Sequence, residues 1–383
     1  ANVLLIAQRR MGKTSLLREL GNRIGGDYLC MYIDLESCQS APDAVVEISM
    51  ALQPHRDLWG KVTRVFQNIL SVMADRIEGV DVSEFKIKLR AGVDRGNWQA
   101  KGDKLFELMA ESGKPVVLFF DEVPILVNRI LKDEDYALSR ERIRDADLFM
   151  SWLRDNCQRY ANKIRMVITG SIGLEPILRQ VGLSTTVNHL KPFLLQPWDP
   201  ETAIGCLEAL GNQYGIQFEE DAYSTIVKKL GYCIPHHVQM YFDHIYEMCG
   251  KRNQKICNSE LAEKVYKECM LSTHGHVELS HYEERLKLVL GDKILPFALD
   301  ILTETAVRRK LTDEVLRGYC QYHQEILKAE DGNRTAEEVM GVLEHDGYLK
   351  RSGSGYVFHS RLLRDWWKAH YGRMFIPLQE RIG

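Results

Sequence analysis

The chain has 383 residues, more than one compact core usually serves, so two or three domains are expected. Its 50 lysines and arginines against 53 acidic residues leave a net charge of −3, which excludes a global basic field for nucleic acid and allows only a local basic face. No apolar run reaches membrane-spanning length and no secretory leader is visible. The 9 cysteines, odd in number and without a Cys-x-x-Cys pair, point to reduced thiols in a cytoplasm rather than a disulfide framework.

In chain order, the first half alternates strand and helix signals. Residues 3–6 form an apolar strand, residues 7–12 a tight loop, and Ser15 to Ile24 a helix with Leu16, Leu17, Leu20 and Ile24 on one face. A second strand covers Tyr28 to Leu35, and a helix covers Ala44 to Leu52. Leu58 to Ile77 reads as helix, and Phe85 to Val93 alternates like an exposed hairpin strand. A helix over Lys101 to Ser112 precedes a third strand at 114–120, apolar from Pro115 onward. A helix over Asp145 to Ala161 precedes a fourth strand at 164–170, and Val187 to Leu195 carries a fifth. Strands alternating with helices predict an α/β parallel sheet with crossover connections.

After Pro197 the strand signals stop. Helices are expected at Pro200–Tyr214, Asp221–Leu230, His236–Cys249 and Ser259–Met270, with starts marked by Asp199-Pro200 and Asn258-Ser259. Residues 272–276 read as a linker. Four helical stretches follow, at 282–290, 295–304, 312–322 and 335–346. Two short strands at 347–351 and 355–359, joined by Ser352-Gly353-Ser354, make a hairpin signal. Helices closed by a hairpin are the pattern of a winged helix.

The chemistry concentrates at the strand ends. Gly12-Lys13-Thr14-Ser15 follows the first strand and opens a helix, the context of a phosphate-binding P-loop, with Arg9, Arg10 and Met11 inside the loop. Helix N-terminal amides offer oriented donors to phosphate, Lys13 would reach the β- and γ-phosphates, and Thr14 would ligate Mg²⁺. Ala7 stands where the pattern has its first glycine, which is acceptable only if that position does not need positive φ. A strand so near residue 1 predicts a further segment upstream, the part that in many P-loop ATPases touches adenine.

Asp121-Glu122 closes the third strand, with Asp121 placed to hold Mg²⁺ and Glu122 to activate the attacking water. Thr169-Gly170-Ser171 closes the fourth, where Thr169 or Ser171 would sense the γ-phosphate. Arg9 and Arg10 would either meet phosphate, contact a neighbour or pin the loop through Asp34 or Glu36. Arg140, Arg142, Arg144, Arg154, Arg159 and Arg179 are candidate arginine fingers for a neighbouring subunit. Pro235 and His236, with His237, would contact nucleotide from the helical second domain or simply start a helix. His274, His276 and His281 have no matching cysteine at metal-ligand spacing. Near the C-terminus, Lys350, Arg351, Arg361, Arg364, Lys368 and Arg373 are interleaved with Tyr356, Phe358, Trp366, Trp367 and Tyr371. That set is either a DNA-facing basic wing or a core with a solvated rim.

These stretches together resemble the archaeal-type ATPase family of prokaryotes, among the signal-transduction ATPases with numerous domains and distantly similar to origin-recognition ATPases. The likeness lies in residues 4–17, in Tyr32-Ile33-Asp34-Leu35-Glu36, Phe120-Asp121-Glu122 and residues 169–174, in Gly231-Tyr232-Cys233-Ile234-Pro235, and in the closing Leu362-Leu363-Arg364-Asp365-Trp366-Trp367. The resemblance implies a P-loop NTPase parallel sheet (AAA/STAND-like) over 1–197, a helical lid over 198–275 and a winged-helix domain over 276–383. It implies ATP and Mg²⁺, an ATP-driven molecular switch, and a protein partner or homo-oligomer. The rival expectations are a DNA-binding ATPase of origin-recognition type and a nucleotide-binding scaffold without turnover.

Overall fold

The computed structural model describes residues 1–71, 82–132, 138–272, 279–327 and 332–382. By contact the chain separates into two units. One comprises Ala1–Ala7 and Lys13–Leu195, the other Gln8–Gly12 and Gln196–Gly383.

In the first unit β1 (Asn2–Ile6) is followed by α1 (Lys13–Ile24), β2 (Leu29–Asp34), α2 (Ala41–Ala51), α3 (Arg56–Val65), α4 (Gln67–Ser71), α5 (Val82–Gly92) and α6 (Trp98–Ala110). Then come β3 (Val116–Asp121), α7 (Val123–Leu131), α8 (Arg140–Arg159), β4 (Ile164–Thr169), α9 (Leu174–Gln180) and β5 (Leu190–Leu194). The five strands pair in parallel in the order β2-β3-β4-β1-β5. All six residues of β3 are buried, which is why that run carries no polar alternation. Pro192 is tolerated in β5 because that strand is an edge and pairs only with β1. Ser40 and Ser139 start α2 and α8 by accepting the amide three residues on. The register sets Asp34 beside Asp121 and Leu5 beside Thr169, so the carboxyl ends of β1 to β4 lie together along one edge of the sheet. In open parallel sheets that edge is where ligands bind.

Two expectations in this unit are corrected. Phe85 to Val93 is not a hairpin strand; all but its last residue belong to α5. Phe85, Leu89 and Val93 recur every four residues and are buried, while Ile87, which an alternating strand would place with them, is 67% exposed. Lys86 and Arg90, also four apart, both reach Glu47, at 2.8 and 3.1 Å. The sequence satisfies both periods, and burial selects the helical one. The single helix expected over 58–77 is interrupted at Phe66 between α3 and α4; its part from residue 72 on lies outside the described residues.

The second unit is mainly helical: α10 (Pro200–Tyr214), α11 (Glu220–Leu230), α12 (Pro235–Arg252) and α13 (Ser259–Val265), the last running into a π-type turn over Tyr266–Met270. Strand signals do not stop altogether, since β6 (Gln217–Phe218) and β7 (Ile256–Cys257) form a two-residue parallel pair. Then follow α14 (His281–Arg308), β8 (Leu311–Thr312), α15 (Asp313–Tyr322), α16 (Gln324–Leu327), α17 (Gly332–His345), β9 (Leu349–Arg351), β10 (Gly355–Phe358), α18 (Arg361–Tyr371) and α19 (Leu378–Ile382). The two helices expected at 282–290 and 295–304 are one element interrupted at Gly291, whose φ of 73° suits glycine. The expected hairpin pairs as β9–β10, and β8 adds a third strand on its other side. The core of this unit holds Tyr241, Tyr319, Tyr348, Trp366 and Trp367. All nine cysteines are free, and among the described residues no helix is long and apolar enough to cross a membrane.

Candidate functional site

The loop after β1 turns through two left-handed residues, Arg10 (φ 67°) and Gly12 (φ 79°), before α1 begins at Lys13. No atom lies within 4 Å of where a Gly12 Cβ would be, so backbone conformation rather than space selects glycine there. Ala7 is not among the positive-φ residues, so its methyl group is no obstacle. The first turn of α1 carries no acidic side chain to compensate its amides, as an anion-receiving helix start requires. Lys13 is buried, and its Nζ donates to the carbonyl of Ala7 at 3.1 Å. Met11 is buried, Thr14 and Ser15 are exposed, and Arg9 is half-buried.

Within the same unit Thr14 Oγ1 donates to Asp121 Oδ2 at 3.0 Å. Tyr32 donates its hydroxyl to that same oxygen at 2.7 Å, and the Glu122 amide donates to Oδ1 at 3.1 Å. Burial, then the hydrogen bond to Asp121, pushes the Tyr32 phenol well above its usual range, so it remains a donor. Glu122 sits in the left-handed region (φ 58°, ψ 31°) just ahead of α7. Its Oε2 accepts both the amide and the hydroxyl of Ser171, each at 2.9 Å. Thr169 is fully buried beside β1, and among the described residues its hydroxyl has no hydrogen-bond partner. Lys13, Thr14, Asp121, Glu122, Thr169 and Ser171, separate in sequence, thus meet along one sheet edge.

Hard oxygen donors, a carboxylate and a hydroxyl in mutual contact, fit Mg²⁺. Because Thr14 gives its proton to Asp121, its lone pairs remain for a cation. Among the described residues no group of three or more His, Cys, Asp or Glu could hold a metal. His281 is buried against Tyr282 with ring centroids 4.6 Å apart; His274 and His276 lie outside the described residues.

In the second unit Arg10 Nη1 lies 3.0 Å from His236 Nε2, and the His236 amide donates to the Arg10 carbonyl at 3.4 Å. Gln8 donates to the Tyr232 hydroxyl at 3.4 Å. Pro235 is the first residue of α12 and is buried, and His237 is fully buried with a pKa pushed down to about 3 by desolvation, then by the charges of His236 and Arg10. The sequence allows Arg10 three roles; its contact here is with the imidazole of His236, the second residue of α12.

Two of the other sequence-marked arginines have structural partners in the same unit. Arg142 Nη1 caps the end of α7, donating to the carbonyls of Arg129, Ile130 and Lys132 at 3.0–3.2 Å. Arg179 pairs with Glu175, while Arg140, Arg144 and Arg159 are exposed and Arg154 half-buried. The C-terminal aromatics are core: Tyr356, Phe358, Trp366 and Trp367 are all buried. The basic set around them is partly neutralised, Arg364 by Asp365 at 2.6 Å, Arg361 by Asp365 at 3.6 Å, and Arg351 by Asp313 at 2.8 Å. The residue that sequence reading missed is Tyr32. Its signal was its place on β2, two residues before Asp34, which pairs with Asp121.

The chain is similar in fold to a Walker-type ATPase of Pyrococcus abyssi, at 15% identity and a TM-score of 0.61, over 96% of this chain and 90% of that one. It is also similar to the ORC2 protein of Aeropyrum pernix in its ADPNP–ADP complexes, at 11% identity and a TM-score of 0.50, over 97% of this chain and 89% of that one. No protein-family model matches the chain, and no curated protein matches it in sequence. The fold is therefore that of the P-loop NTPases, an α/β parallel sheet followed by a helical region.

Proposed function

We propose that this chain is an ATP-binding, Mg²⁺-dependent ATPase of the archaeal-type family, working as a nucleotide-driven switch. The observation that carries this reading is the contact chain Thr14–Asp121 and Glu122–Ser171 at the carboxyl ends of the strands. Backbone amides of Arg9, Arg10, Met11, Gly12, Lys13, Thr14 and Ser15 would cradle the phosphates, and Lys13 would leave the Ala7 carbonyl to neutralise them. Thr14 and Asp121 would hold Mg²⁺, which neutralises charge on the phosphate oxygens when bound. Glu122 would take the proton of the attacking water as the β–γ bridge bond breaks, giving ADP and inorganic phosphate. Thr169, buried with an unsatisfied hydroxyl among the described residues, or Ser171 would report the γ-phosphate. Pro235 and His236 would add nucleotide contacts from the helical region.

In this reading residues 1–197 are the ATPase core, 198–275 a lid, and 276–383 a winged helix, whose helices and three-stranded sheet β8-β10-β9 support the name. ATP binding would set the switch and hydrolysis at Glu122 would reset it, with a protein partner or a second copy of the chain as the body it acts on. DNA contact through the C-terminal region is the rival reading, and the pairing of Arg361 and Arg364 with Asp365 weighs against it. A low-salt gel shift with charge reversals at both arginines separates the two, and salt-sensitive binding lost in the reversals would favour the rival. A scaffold without turnover is disfavoured by the intact Glu122. Phosphate release tests the main reading: Glu122→Gln should keep ATP affinity and lose at least about 10²-fold in turnover. Undiminished turnover would remove Glu122 from the chemistry.

A further inference from the structure

Tyr32 lies in the middle of β2, and its hydroxyl donates to Asp121 Oδ2 at 2.7 Å, with the Thr14 side chain also beside it. Thr14 Oγ1 donates to the same atom at 3.0 Å, and the Glu122 amide to Oδ1 at 3.1 Å. An ionised carboxylate offers about four acceptor directions. Three donors, from β2, from α1 and from the residue that follows β3, therefore fix its rotation and leave the open direction on Oδ1. The phenol is itself held in place. Its ring centroid is 6.4 Å from that of Phe119 on β3, and the Arg18 guanidinium of α1 lies over it at 5.7 Å. A ring serving the packing alone would be served equally by phenylalanine; what tyrosine adds is one oriented donor to the metal-side carboxylate.

We propose that Tyr32 is a positioning residue for the Mg²⁺ site: its hydroxyl holds Asp121 Oδ2 so that Oδ1 faces the cation that accompanies the nucleotide. This rests on reading Asp121 as the metal carboxylate. Carboxylates that serve metals are themselves oriented by hydrogen bonds, and loss of such a partner typically costs about 10–100-fold in metal affinity. Tyr32→Phe keeps the ring, the Arg18 contact and the strand, and deletes only the donor.

The test is a Mg²⁺ titration of the binding of a fluorescent ATP analogue by the full chain, with binding in excess EDTA measured alongside. Tyr32→Phe should raise the Mg²⁺ midpoint about tenfold or more, with analogue binding in EDTA within about twofold of the unmodified chain. Asp121→Ala is the control and should raise the midpoint further. If Asp121→Ala shifts the midpoint and Tyr32→Phe does not, the role of Tyr32 is overturned while the site stands. If Tyr32→Phe weakens binding in EDTA and leaves the midpoint unchanged, its hydroxyl is a structural tie and the proposal fails. If neither variant moves the midpoint, the reading of Asp121 fails and takes the proposal with it.

Discussion

Ser171 holds Glu122 by two donors at once, its amide and its hydroxyl, both 2.9 Å from the same carboxylate oxygen. The residue that would activate water is therefore tethered to the turn that closes β4. Ser171→Ala keeps the amide and deletes the hydroxyl. We expect kcat to fall about tenfold, a small part of the roughly 10²–10⁴ that a positioned base supplies, with ATP affinity within about twofold. Steady-state phosphate release beside equilibrium nucleotide binding reads this directly; an unchanged kcat would mean the tether has no part in turnover.

The tether depends on a glycine. A Cβ on Gly170 would lie 2.4 Å from Cδ of Pro124, in the first turn of α7, so this turn approaches that helix more closely than any side chain permits. Gly170→Ala should destabilise the fold by about 1–3 kcal/mol, as overpacking does, and draw Ser171 away from Glu122. Chemical denaturation gives the first effect and phosphate release the second. A stable, fully active Gly170→Ala would show that the turn adjusts freely.

Much of this was legible in the sequence, and the limits have physical causes. Strand β3 announces itself because a central parallel strand is apolar throughout and ends abruptly in Asp121-Glu122. Helix α5 reads as a strand because Phe85, Ile87, Leu89 and Val93 satisfy alternation while Phe85, Leu89 and Val93 also form a four-residue stripe, and only the exposure of Ile87 decides between them. Ala7 was an open question because it turned on a backbone angle, which spacing does not encode. Tyr32 and Ser171 acquire their partners from sheet order and register, which place β2 beside β3 and β3 beside β4. No local pattern carries that information.

His237 makes stability depend on pH. Burial pushes its pKa down to about 3, and among the described residues neither ring nitrogen has a hydrogen-bond partner. In the unfolded chain an imidazole titrates near 6.5, so between the two values the unfolded state binds the extra proton. Stability from this group is complete above about pH 6.5 and is lost as pH falls towards 3, by up to about 1.4 kcal/mol per pH unit. Denaturation midpoints from pH 7.5 to 5 should decline, and His237→Leu should flatten that decline. Equal slopes in both proteins would contradict a buried neutral imidazole.

The central claim is that the loop ahead of α1 binds the phosphates of ATP through Lys13. Its most direct measurement is the equilibrium affinity for ATP in the presence of Mg²⁺, compared between the unmodified chain and Lys13→Ala. Lys13 is buried at the start of α1, with its ammonium 3.1 Å from the Ala7 carbonyl, in a loop whose first helical turn has no acidic residue. Loss of its charge should weaken binding at least about 100-fold, roughly 2.7 kcal/mol, consistent with a charged group on phosphate. An unchanged ATP affinity in a folded Lys13→Ala protein would contradict the account.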